Sequence, residues 1–565
     1  MNPEKLQRTW IAWLLICAVT ILIYSGTFSY GILHNYDDDA YFGDPGITRL
    51  TADHVKDYFS RDYLGMYQPL PVLSFAVLMK VFPGSVLAHR ILQVVLHCLN
   101  ALLVLILVRR LSGNFRVASL TALLFAVHPM NAESVSWLAA RSNLMYAFFY
   151  LSALIFYLEW QDKNKGWQWG MMLLCFILSL LSKVTAATFP MAVILLDWFR
   201  RKEFSRRTVL LYIPLILLSL VFIRTGIRAS GSFGHLTELG QSYSIFERMF
   251  LVLQAVWLYL VKSVIPFGQS VIYLFPWKTG GTLPASYFAA GSAACLLIAV
   301  LLIAGWRHRN REWGRAIVFW MLFFLVTLSI VLPLKWSRTV LIAERYTYIP
   351  YVGLLSMIVT LIFIILRNRS RHLRSVVWAV LGAGILALGW CTWERVKVWK
   401  DPVSLFTDVI VKSRSGAEVS TAYYNRGNEY FRLKEDEMAI RDYSEALRIY
   451  PGYADAAYNR GLVFYSNGSY TDAIRDFSAT IVLQPDNPDA WLNRADAFRA
   501  AGKYEEALQD LDHLILVHPD KFAYFNRGAL YYFNLGQPDR GCSDWVQALR
   551  LGFQPAAAML EKYCK

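Results

Sequence analysis

Long apolar runs separated by short polar segments make up the chain as far as residue 393. Two apolar stretches, 69–83 and 246–266, interrupt an otherwise regular alternation. Beyond residue 394 the sequence turns polar, with apolar positions spaced as in soluble amphipathic helices. Eleven runs have the length and hydrophobicity of bilayer-crossing helices, namely residues 10–31, 86–108, 117–133, 142–160, 167–183, 184–199, 208–224, 286–305, 316–334, 347–366 and 376–393. The pattern predicts an all-α chain, with a polytopic membrane bundle of about 11 spans before a soluble helical domain.

Lysine and arginine concentrate in the short segments between these runs, at residues 5–8, 109–116, 163–165, 200–207, 307–315 and 367–374. With eleven spans, all of these clusters fall on one side, which the positive-inside rule makes cytoplasmic. We therefore expect a cytoplasmic N-terminus and an extracytoplasmic segment after residue 394. The outward loops would be 34–85, 128–141, 225–285 and 335–346.

This alternation holds only if residues 69–83 and 246–266 do not cross. We expect both to be helices lying at, or dipping into, the outer membrane interface. The alternative is that 246–266 does cross and a neighbouring span is misassigned.

The C-terminal part repeats itself. Asparagine recurs at spacings of 34, 34 and 33 residues, at Asn425, Asn459, Asn493 and Asn526. Prolines follow in phase at Pro451, Pro485 and Pro519. A 34-residue helix-turn-helix period is that of the tetratricopeptide repeat. The sequence thus predicts an α-solenoid over residues 422–565.

Departures from the repeat pattern mark its later units. The third repeat has Ala495 and Leu511 where the second has Gly461 and Phe477. The fourth slips by about one residue near 540–545, as terminal repeats often do. We also expect residues 402–413 to form a lone helix that packs on the first repeat. Such arrays bind peptides or protein surfaces, and the alternative is a spacer without a ligand.

Composition agrees with a membrane protein, since 56% of the 565 residues are hydrophobic. The net charge of +15 sits in the loops between spans, so it does not indicate nucleic-acid binding. Cys542 and Cys564 lie at the start of one predicted helix and the end of the next. If those helices are antiparallel, a disulfide can form outside the cytoplasm; the alternative is two free thiols.

The outward segments carry candidate chemistry. Acids follow the first span as the run Asp37, Asp38 and Asp39, and these suit a general base. Cations and polar groups in the other outer segments suit a phosphate or pyrophosphate; they are His128, Glu133, Arg141, Lys183, Arg338 and Arg345. Each has an ordinary alternative, because Lys and Arg at a membrane rim snorkel to head groups and loop acids are commonly solvated.

Other chemistries find little support. The sequence contains no GxGxxG, P-loop, nucleophile elbow or HExxH motif, which excludes the corresponding nucleotide-binding and protease classes. Asp37 and Asp38 could hold a divalent metal ion through oxygen ligands. No third outer ligand stands out, so metal dependence is left open.

Several short motifs occur in the order found in one family of membrane enzymes. They are Asn35–Asp38, Gln68–Ser74, His89–Arg90, His97, His128–Pro129, Glu133–Val135, Arg141, Ser182–Lys183, Asp197, Glu344–Pro350 and Val398–Asp401. In them the chain resembles the TMTC family and its bacterial relatives, which are multi-span GT-C glycosyltransferases with C-terminal tetratricopeptide repeats. Two departures are Val184, where many eukaryotic relatives have an acid, and Arg90, where bacterial relatives tend to have a second histidine.

The resemblance implies a GT-C membrane fold, a polyprenyl-phosphate-linked sugar donor and transfer to Ser or Thr hydroxyls of a protein. By motif position, Asp37 and Asp38 would act as base and substrate-orienting group. Lys183 and Arg345 would hold the donor phosphate, with Arg141 in support. Adjacent Asp39 leaves the register of the catalytic acid uncertain by one residue.

We therefore expect a multi-pass protein of a bacterial inner membrane that transfers mannose or a similar sugar to an extracytoplasmic protein recruited by the repeats. Its predicted domains are a transmembrane domain (1–395, with outer loop 34–85), a linker and packing helix (396–421) and the repeats with a cap (422–565). One alternative is a lipid or envelope-glycan acceptor. The other is an inactive membrane-anchored scaffold, which would not need the candidate acids and cations.

Overall fold

The computed structural model describes residues 3–201, 206–232, 237–238, 243–276, 278, 281–333, 336–337, 340–412 and 417–564. The chain divides into two compact units, Met1–Leu405 and Phe406–Lys565. The division falls within the predicted linker region, 396–421.

The first unit is helical. In chain order its helices are α1 (Pro3–Tyr24), α2 (Asp38–Phe42), α3 (Pro45–Thr48), α4 (Ala52–Ser60), α5 (Pro69–Val81), α6 (Val86–Ser112), α7 (Phe115–Val127), α8 (Ala132–Ser136), α9 (Arg141–Lys163), α10 (Gly166–Ser182), α11 (Phe189–Phe199), α12 (Arg206–Ser232), α13 (Ile245–Lys262), α14 (Ala285–Arg307), α15 (Glu312–Ser329), α16 (Pro350–Leu366) and α17 (Arg371–Lys397). Short 3₁₀ turns occupy Ser25–Ser29, Pro129–Asn131, Leu138–Ala140, Val184–Thr188 and Glu344–Thr347.

Four short strands tie the loops together in antiparallel pairs. Strands β1 (Thr237–Glu238) and β3 (Trp336–Ser337) form one pair, and β2 (Tyr273–Leu274) and β4 (Val340–Ile342) form the other. Both pairs join the predicted outward segment 225–285 to the predicted outward segment 335–346.

Apolar helices confirm the predicted class of membrane protein. Among the described residues, seven helices are long and apolar enough to cross a bilayer: Gln7–Ser29, Val86–Ser112, Leu138–Lys163, Val209–Gly231, Ala285–Arg307, Glu312–Ser329 and Arg371–Lys397. Five further apolar segments have 10–17 residues, and a helix of 13 residues rises only about 20 Å. The count of eleven spans therefore stays a prediction.

The predicted span 117–133 is wrong at its C-terminal end, because α7 stops at Val127. Pro129 accounts for the stop. Proline has no backbone N–H, and it disfavours helical geometry in the residue before it. His128 accordingly has extended backbone (φ −78°, ψ 129°).

Burial separates inner from outer helices. One continuous apolar core includes buried side chains of α6, α7, α9, α10, α15 and α16. By contrast, only 17% of the residues in the apolar stretches of α12 and α14 are buried, and only 6% of those in the apolar stretch of α17. Such exposure suits helices that face lipid, because hydrocarbon and not water surrounds them.

The second unit is the predicted repeat array. Its helices are α18 (Pro402–Lys412), which begins in the first unit, α19 (Ala417–Arg432), α20 (Asp436–Ile449), α21 (Ala454–Ser466), α22 (Tyr470–Leu483), α23 (Pro488–Ala500), α24 (Tyr504–Val517), α25 (Lys521–Ala529), α26 (Pro538–Arg550) and α27 (Pro555–Tyr563). The Arg426 guanidinium donates to the Thr407 hydroxyl at 2.9 Å, so α18 contacts the first repeat.

An arginine–aspartate pair joins the two helices of every repeat. Each guanidinium makes two hydrogen bonds of 2.7–2.8 Å to one carboxylate. The pairs are Arg426–Asp442, Arg460–Asp476, Arg494–Asp510 and Arg527–Asp544. Bidentate pairs of this kind fix the orientation of both partners.

Close packing explains the unusual third repeat. A Cβ added to Gly461 would lie 2.8 Å from the Phe477 ring, so any larger residue there would force the ring to shift. In the third repeat Ala495 supplies a Cβ and Leu511 replaces the ring, and both residues are buried. Leu511 is smaller than the phenylalanine of the second repeat, and it therefore leaves space for the Cβ of Ala495.

The one-residue slip of the fourth repeat lies earlier than predicted. Its Gly528 and Trp545 are separated by 17 positions, where Gly461 and Phe477 are separated by 16. A π-helix over Leu530–Asn534 holds the extra residue, since a π-helical turn contains one residue more than an α-helical turn. The prediction placed the slip near 540–545 because only the residues after the π-helix appear shifted.

The C-terminal helix is linked covalently to the last repeat. Cys542 of α26 and Cys564, directly after α27, form a disulfide with 5.8 Å between their Cα atoms.

Candidate functional site

A cavity of about 200 Å³ lies among the predicted outward segments of the first unit. Seven stretches of the chain, distant in sequence, form its wall. The lining residues are Asp37, Tyr41, Met66, Tyr67, Gln68, Trp137, Ala139, Ala140, Ser142, Asn143, Lys183, Val184, Thr185, Gly226, Ser230, Ile330, Val331, Leu332, Arg345 and Tyr346. A predicted acid and two predicted cations therefore share one cavity.

The three consecutive acids take three different positions. Asp37 lines the cavity. Asp39 faces away into its own loop, where its carboxylate bonds His34 at 2.8 Å and accepts from the Asn35 N–H at 2.7 Å. This separation follows from the turn that begins α2, because neighbouring residues of a helical turn point in different directions.

Asp38 is fully buried behind the cavity wall. Its two carboxylate oxygens accept backbone N–H groups, one from Leu33 at 3.1 Å and one from Ala139 at 2.9 Å. Burial raises the pKa of Asp38 to about 6, while Arg90 and these two hydrogen bonds oppose the rise. Asp38 thus joins the first outer loop to the wall at Ala139.

The wall segment 128–141 is buried along its whole length. Buried backbone needs internal partners, and α6 provides them. The Arg90 guanidinium donates to the Ser136 carbonyl, and Gln93 Nε2 donates to the Trp137 carbonyl at 2.7 Å. Polar residues inside an otherwise apolar helix therefore hold this segment in place.

Arg345 lines the cavity, and Glu133 holds it in position. Its guanidinium pairs with the Glu133 carboxylate, and its backbone N–H donates to the same carboxylate at 2.8 Å. Burial is the largest single influence and lowers the pKa of the Arg345 guanidinium, but the charge and hydrogen bond of Glu133, together with Tyr346 and Tyr36, outweigh it and the pKa is raised. The guanidinium also lies over the rings of Trp137 and Tyr346 at 5.3 and 5.2 Å. Arg345 is therefore a fixed positive charge in the wall.

Lys183 supplies the second cation. Helix α10 ends at Ser182, and Lys183 is the first extended residue after it. Its ammonium donates to the Asn143 side-chain carbonyl and lies within 6 Å of the rings of Tyr146 and Tyr346. A lysine ammonium beside a rigid guanidinium is a donor set that suits an anion with several oxygens.

A second buried pair supports the segment that carries Arg345. The Glu344 carboxylate accepts from the Arg395 guanidinium at 3.1 and 3.2 Å and from the Tyr273 hydroxyl at 3.1 Å. Burial raises the pKa of Glu344 to about 7, against the opposing effect of Arg395. The sequence did not single out Arg395, whose only signal is a cation near the end of an apolar run.

Three other predicted binding residues, Arg141, His128 and Glu133, do not line the cavity. Arg141 is buried, bonds Ser74 at 3.1 Å and His89 at 2.8 Å, and lies over the Phe75 ring. His128 uses both ring nitrogens on backbone groups, those of Met130 and Ser263. The Glu133 carboxylate pairs with the Arg345 guanidinium, and its negative charge would repel an anion placed directly against it.

Arg338 lies outside the described residues, so its predicted role has no structural description. His97 is a hydrogen-bonded core residue, with the Tyr348 hydroxyl at 2.6 Å and the Ala126 carbonyl at 3.0 Å.

The residues around Asp37 and Asp38 do not offer a metal-binding set. Both oxygens of Asp38 already accept amide hydrogens. Among the described residues, no group of three His, Cys, Asp or Glu side chains is placed to hold a metal ion. The charged groups that line the cavity are one carboxylate, Asp37, and two cations, Lys183 and Arg345.

Family profiles match both units. The profile of the dolichyl-phosphate-mannose-protein mannosyltransferase family matches residues 68–226. Tetratricopeptide-repeat profiles match residues 420–453 and 458–515. The first match includes cavity residues Gln68, Trp137 and Lys183.

Known relatives agree with these profiles. The chain is 24% identical to a protein O-mannosyl-transferase of Caenorhabditis elegans over 421 residues, which cover 71% of this chain and 58% of that protein. It is 30% identical to protein O-mannosyl-transferase Tmtc1 of Drosophila melanogaster over 183 residues, which cover 30% and 21%. The chain thus matches less than two thirds of the length of either relative.

Two solved structures each resemble a small part of the chain. MamA from Desulfovibrio magneticus is 14% identical, covers 26% of this chain and 82% of its own, and gives a TM-score of 0.25. The tetratricopeptide-repeat domain of Arabidopsis OM64 is 25% identical, covers 20% and 97%, and gives 0.20. These scores are too low to support a shared fold for the whole chain.

Proposed function

Because this chain is homologous to the TMTC protein O-mannosyl-transferases and combines a mannosyltransferase region with tetratricopeptide repeats, we propose that it is a membrane glycosyltransferase with their activity. It would move mannose, or a similar sugar, from a polyprenyl-phosphate donor to Ser or Thr hydroxyls of an extracytoplasmic protein. One observation carries the proposal: Asp37, Lys183 and Arg345 line the same cavity.

Lys183 and Arg345 would bind the phosphate of the donor. The guanidinium offers several N–H groups in a plane, and the ammonium offers a mobile point charge. Glu133 keeps Arg345 in position and charged. As the bond to the sugar breaks, negative charge grows on the phosphate, and fixed cations stabilise it without reorganising.

Asp37 would act as the general base. Its carboxylate accepts the proton of the acceptor hydroxyl while the oxygen attacks the anomeric carbon of the sugar. A carbon–oxygen bond to the acceptor forms and the bond to the phosphate oxygen breaks. The bonding electrons leave with polyprenyl phosphate. This single displacement inverts the configuration at the anomeric carbon.

Asp38 would position the site and not touch the substrate, since both its oxygens hold backbone amides. The Glu344–Arg395 pair would fix the turn that carries Arg345. The repeats would recruit the acceptor protein, and membrane lipids would surround the first unit. The distribution of basic loops supports a cytoplasmic N-terminus and extracytoplasmic repeats. We further propose that the membrane is a bacterial inner membrane, on the resemblance to bacterial relatives.

Purified full-length protein with a panel of polyprenyl-phosphate sugars, acceptor peptides and glycolipid acceptors tests the proposal. We expect peptide glycosylation with a mannosyl donor, and a loss of roughly 10²- to 10⁴-fold in kcat for Asp37→Asn. Asp39→Asn is the matched control, because among the described residues the carboxylate of Asp39 bonds His34 and Asn35 of its own loop. Activity should therefore persist in this variant.

Two results would refute the proposal. One is the absence of donor turnover and donor binding in the wild type. The other is an active Asp37→Asn beside an inactive Asp39→Asn, which would shift the base by two residues. Transfer to glycolipid alone would replace the protein acceptor with a glycan acceptor.

Topology needs its own measurement. Cys542 and Cys564 form a disulfide, so reduction of intact spheroplasts followed by a membrane-impermeant maleimide should label the repeats. Labelling only after permeabilisation would place the repeats in the cytoplasm and reverse the orientation.

A further inference from the structure

Gln68 and Trp137, which both line the cavity, carry buried polar atoms that lack a hydrogen-bond partner among the described residues. Gln68 is 2% exposed, and its Oε1 has no partner. Trp137 is 5% exposed, and its indole Nε1 has no partner either. An unpaired buried polar atom is costly to a fold, so each atom marks a place where a ligand group would bind favourably.

The side chain of Gln68 is held in a defined orientation. Its Nε2 donates to the Tyr41 hydroxyl, and the Tyr41 ring stacks on Phe75 with centroids 4.5 Å apart. Gln68 immediately precedes Pro69, where α5 begins. The amide keeps one unpaired polar atom in either of its two orientations.

Trp137 is held equally well. Its ring lies against Tyr36 at 5.0 Å and stacks on Trp399 at 5.8 Å. Its backbone carbonyl accepts from Gln93. Groups fixed in this way lose little entropy when a ligand binds.

We propose that Gln68 and Trp137 form the sugar subsite of the cavity. Gln68 Oε1 accepts a hydrogen bond from one sugar hydroxyl, and Trp137 Nε1 donates a hydrogen bond to another sugar oxygen. This subsite rests on the function proposed above, because it concerns the donor sugar of the same reaction.

A sugar fits these atoms better than an acceptor peptide does. A hexosyl group carries several hydroxyls, and each loses water on entering the cavity and needs a new partner. The Arg345 guanidinium, the proposed phosphate contact, lies 5.3 Å from the Trp137 ring. A sugar attached to that phosphate would therefore lie near Trp137.

Donor discrimination tests the subsite directly. The kcat/KM of full-length protein is measured with the mannosyl donor, its monodeoxy analogues and an epimer, for wild type, Gln68→Leu and Trp137→Phe. Wild type should use at least one deoxy donor roughly 10- to 100-fold less well than the parent. Gln68→Leu should be slower with the parent and lose that preference, and Trp137→Phe should lose a preference at another position.

Tyr67→Phe is the matched control. Tyr67 also lines the cavity, but its hydroxyl already donates to the Phe59 carbonyl at 3.0 Å. Its preference among donors should equal that of wild type. The ratio compares two donors on one preparation, so a smaller folded fraction does not alter it.

The proposal is overturned if Gln68→Leu and Trp137→Phe keep the wild-type ratio at every sugar position. It is also overturned if they lower all donors equally and raise only the KM for the acceptor, because the two atoms would then bind the acceptor. A wild type that neither binds nor turns over any sugar donor refutes the proposed function itself, which is a separate result.

Discussion

Ion pairs are arranged differently in the two units. In the repeats, four arginine–aspartate pairs join residues 16 or 17 positions apart, and each copies the one before. Around the cavity, Arg345 pairs with Glu133 across 212 positions, and Arg395 pairs with Glu344 across 51.

Ion pairs therefore have different structural roles in the two units. A repeat pair closes a local helix hairpin, and neighbouring hairpins contain equivalent pairs, so the loss of one is shared along the array. A cavity pair is unique and fixes the place of one functional group. Its loss should therefore reduce catalysis before it unfolds the chain.

The largest difference between the two units is expected when the acidic partner of an arginine is neutralised in each of them. Glu133→Gln should lower kcat/KM by about 100-fold or more, because it leaves Arg345 buried without its counter-charge. We expect a loss of about 3–5 kcal/mol in local stability as well, measured by thermal unfolding in detergent. Both quantities are compared with those of the wild type.

Asp476→Asn makes the matched change in the second repeat. It should leave turnover of a short peptide unchanged and speed hydrogen exchange only within α21 and α22. Equal losses of activity in the two variants would contradict the proposed division of roles.

Packing in the repeats offers a second, smaller test. Gly461→Ala should destabilise the second repeat by about 1–3 kcal/mol, since the new Cβ meets the Phe477 ring. Adding Phe477→Leu should recover part of the loss, because the pair then matches Ala495 and Leu511. Hydrogen exchange of the second repeat measures both effects, and no recovery in the double variant would refute this account of the third repeat.

The smallest effect concerns pH. The pKa of Glu344 is raised from 4.5 to about 7, so between these values the folded chain holds a proton that the unfolded chain has lost. Unfolding then releases a proton, and stability falls as pH rises through this window. Glu344→Gln should flatten the dependence between pH 6 and 7, a slope of up to about 1 kcal/mol per pH unit.

Glu394→Gln serves as the control for that measurement, because Glu394 pairs with Lys397 at the surface with 45% of its side chain exposed. Its slope should equal that of wild type. The pKa of Asp38 is about 6, so its titration contributes equally to both variants and cancels from their comparison. An unchanged slope in Glu344→Gln would show that Glu344 is ionised in the folded chain throughout this range.

Much of the fold follows from the sequence. Apolar runs correspond to helices because a backbone in hydrocarbon must satisfy its own polar groups. The 34-residue period locates the repeats, since each repeat packs on the next by the same contacts. The end of α7 was missed because the apolar run continues past Pro129. The helix ends before this proline, which has no backbone N–H and disfavours helical geometry in the residue before it.

Less of the candidate site follows from it. Arg141 and Arg345 look alike in sequence, as cations in outer segments. Only packing tells them apart, because Phe75 and His89 engage Arg141 while Glu133 directs Arg345 to the cavity. Gln68 and Trp137 are uncharged and were not candidates for the site. A sequence does not show whether a polar side-chain atom has a hydrogen-bond partner in the fold.

The π-helix at Leu530–Asn534 has a consequence for how such arrays change over time. An insertion of one residue would ordinarily rotate every later side chain by about 100° around its helix. Here a single wide turn absorbs it, and Trp545 still reaches Gly528. Helix packing, and not the count of residues, therefore sets the phase of the array, so lineages can gain or lose a residue inside a repeat and still keep the same folded surface.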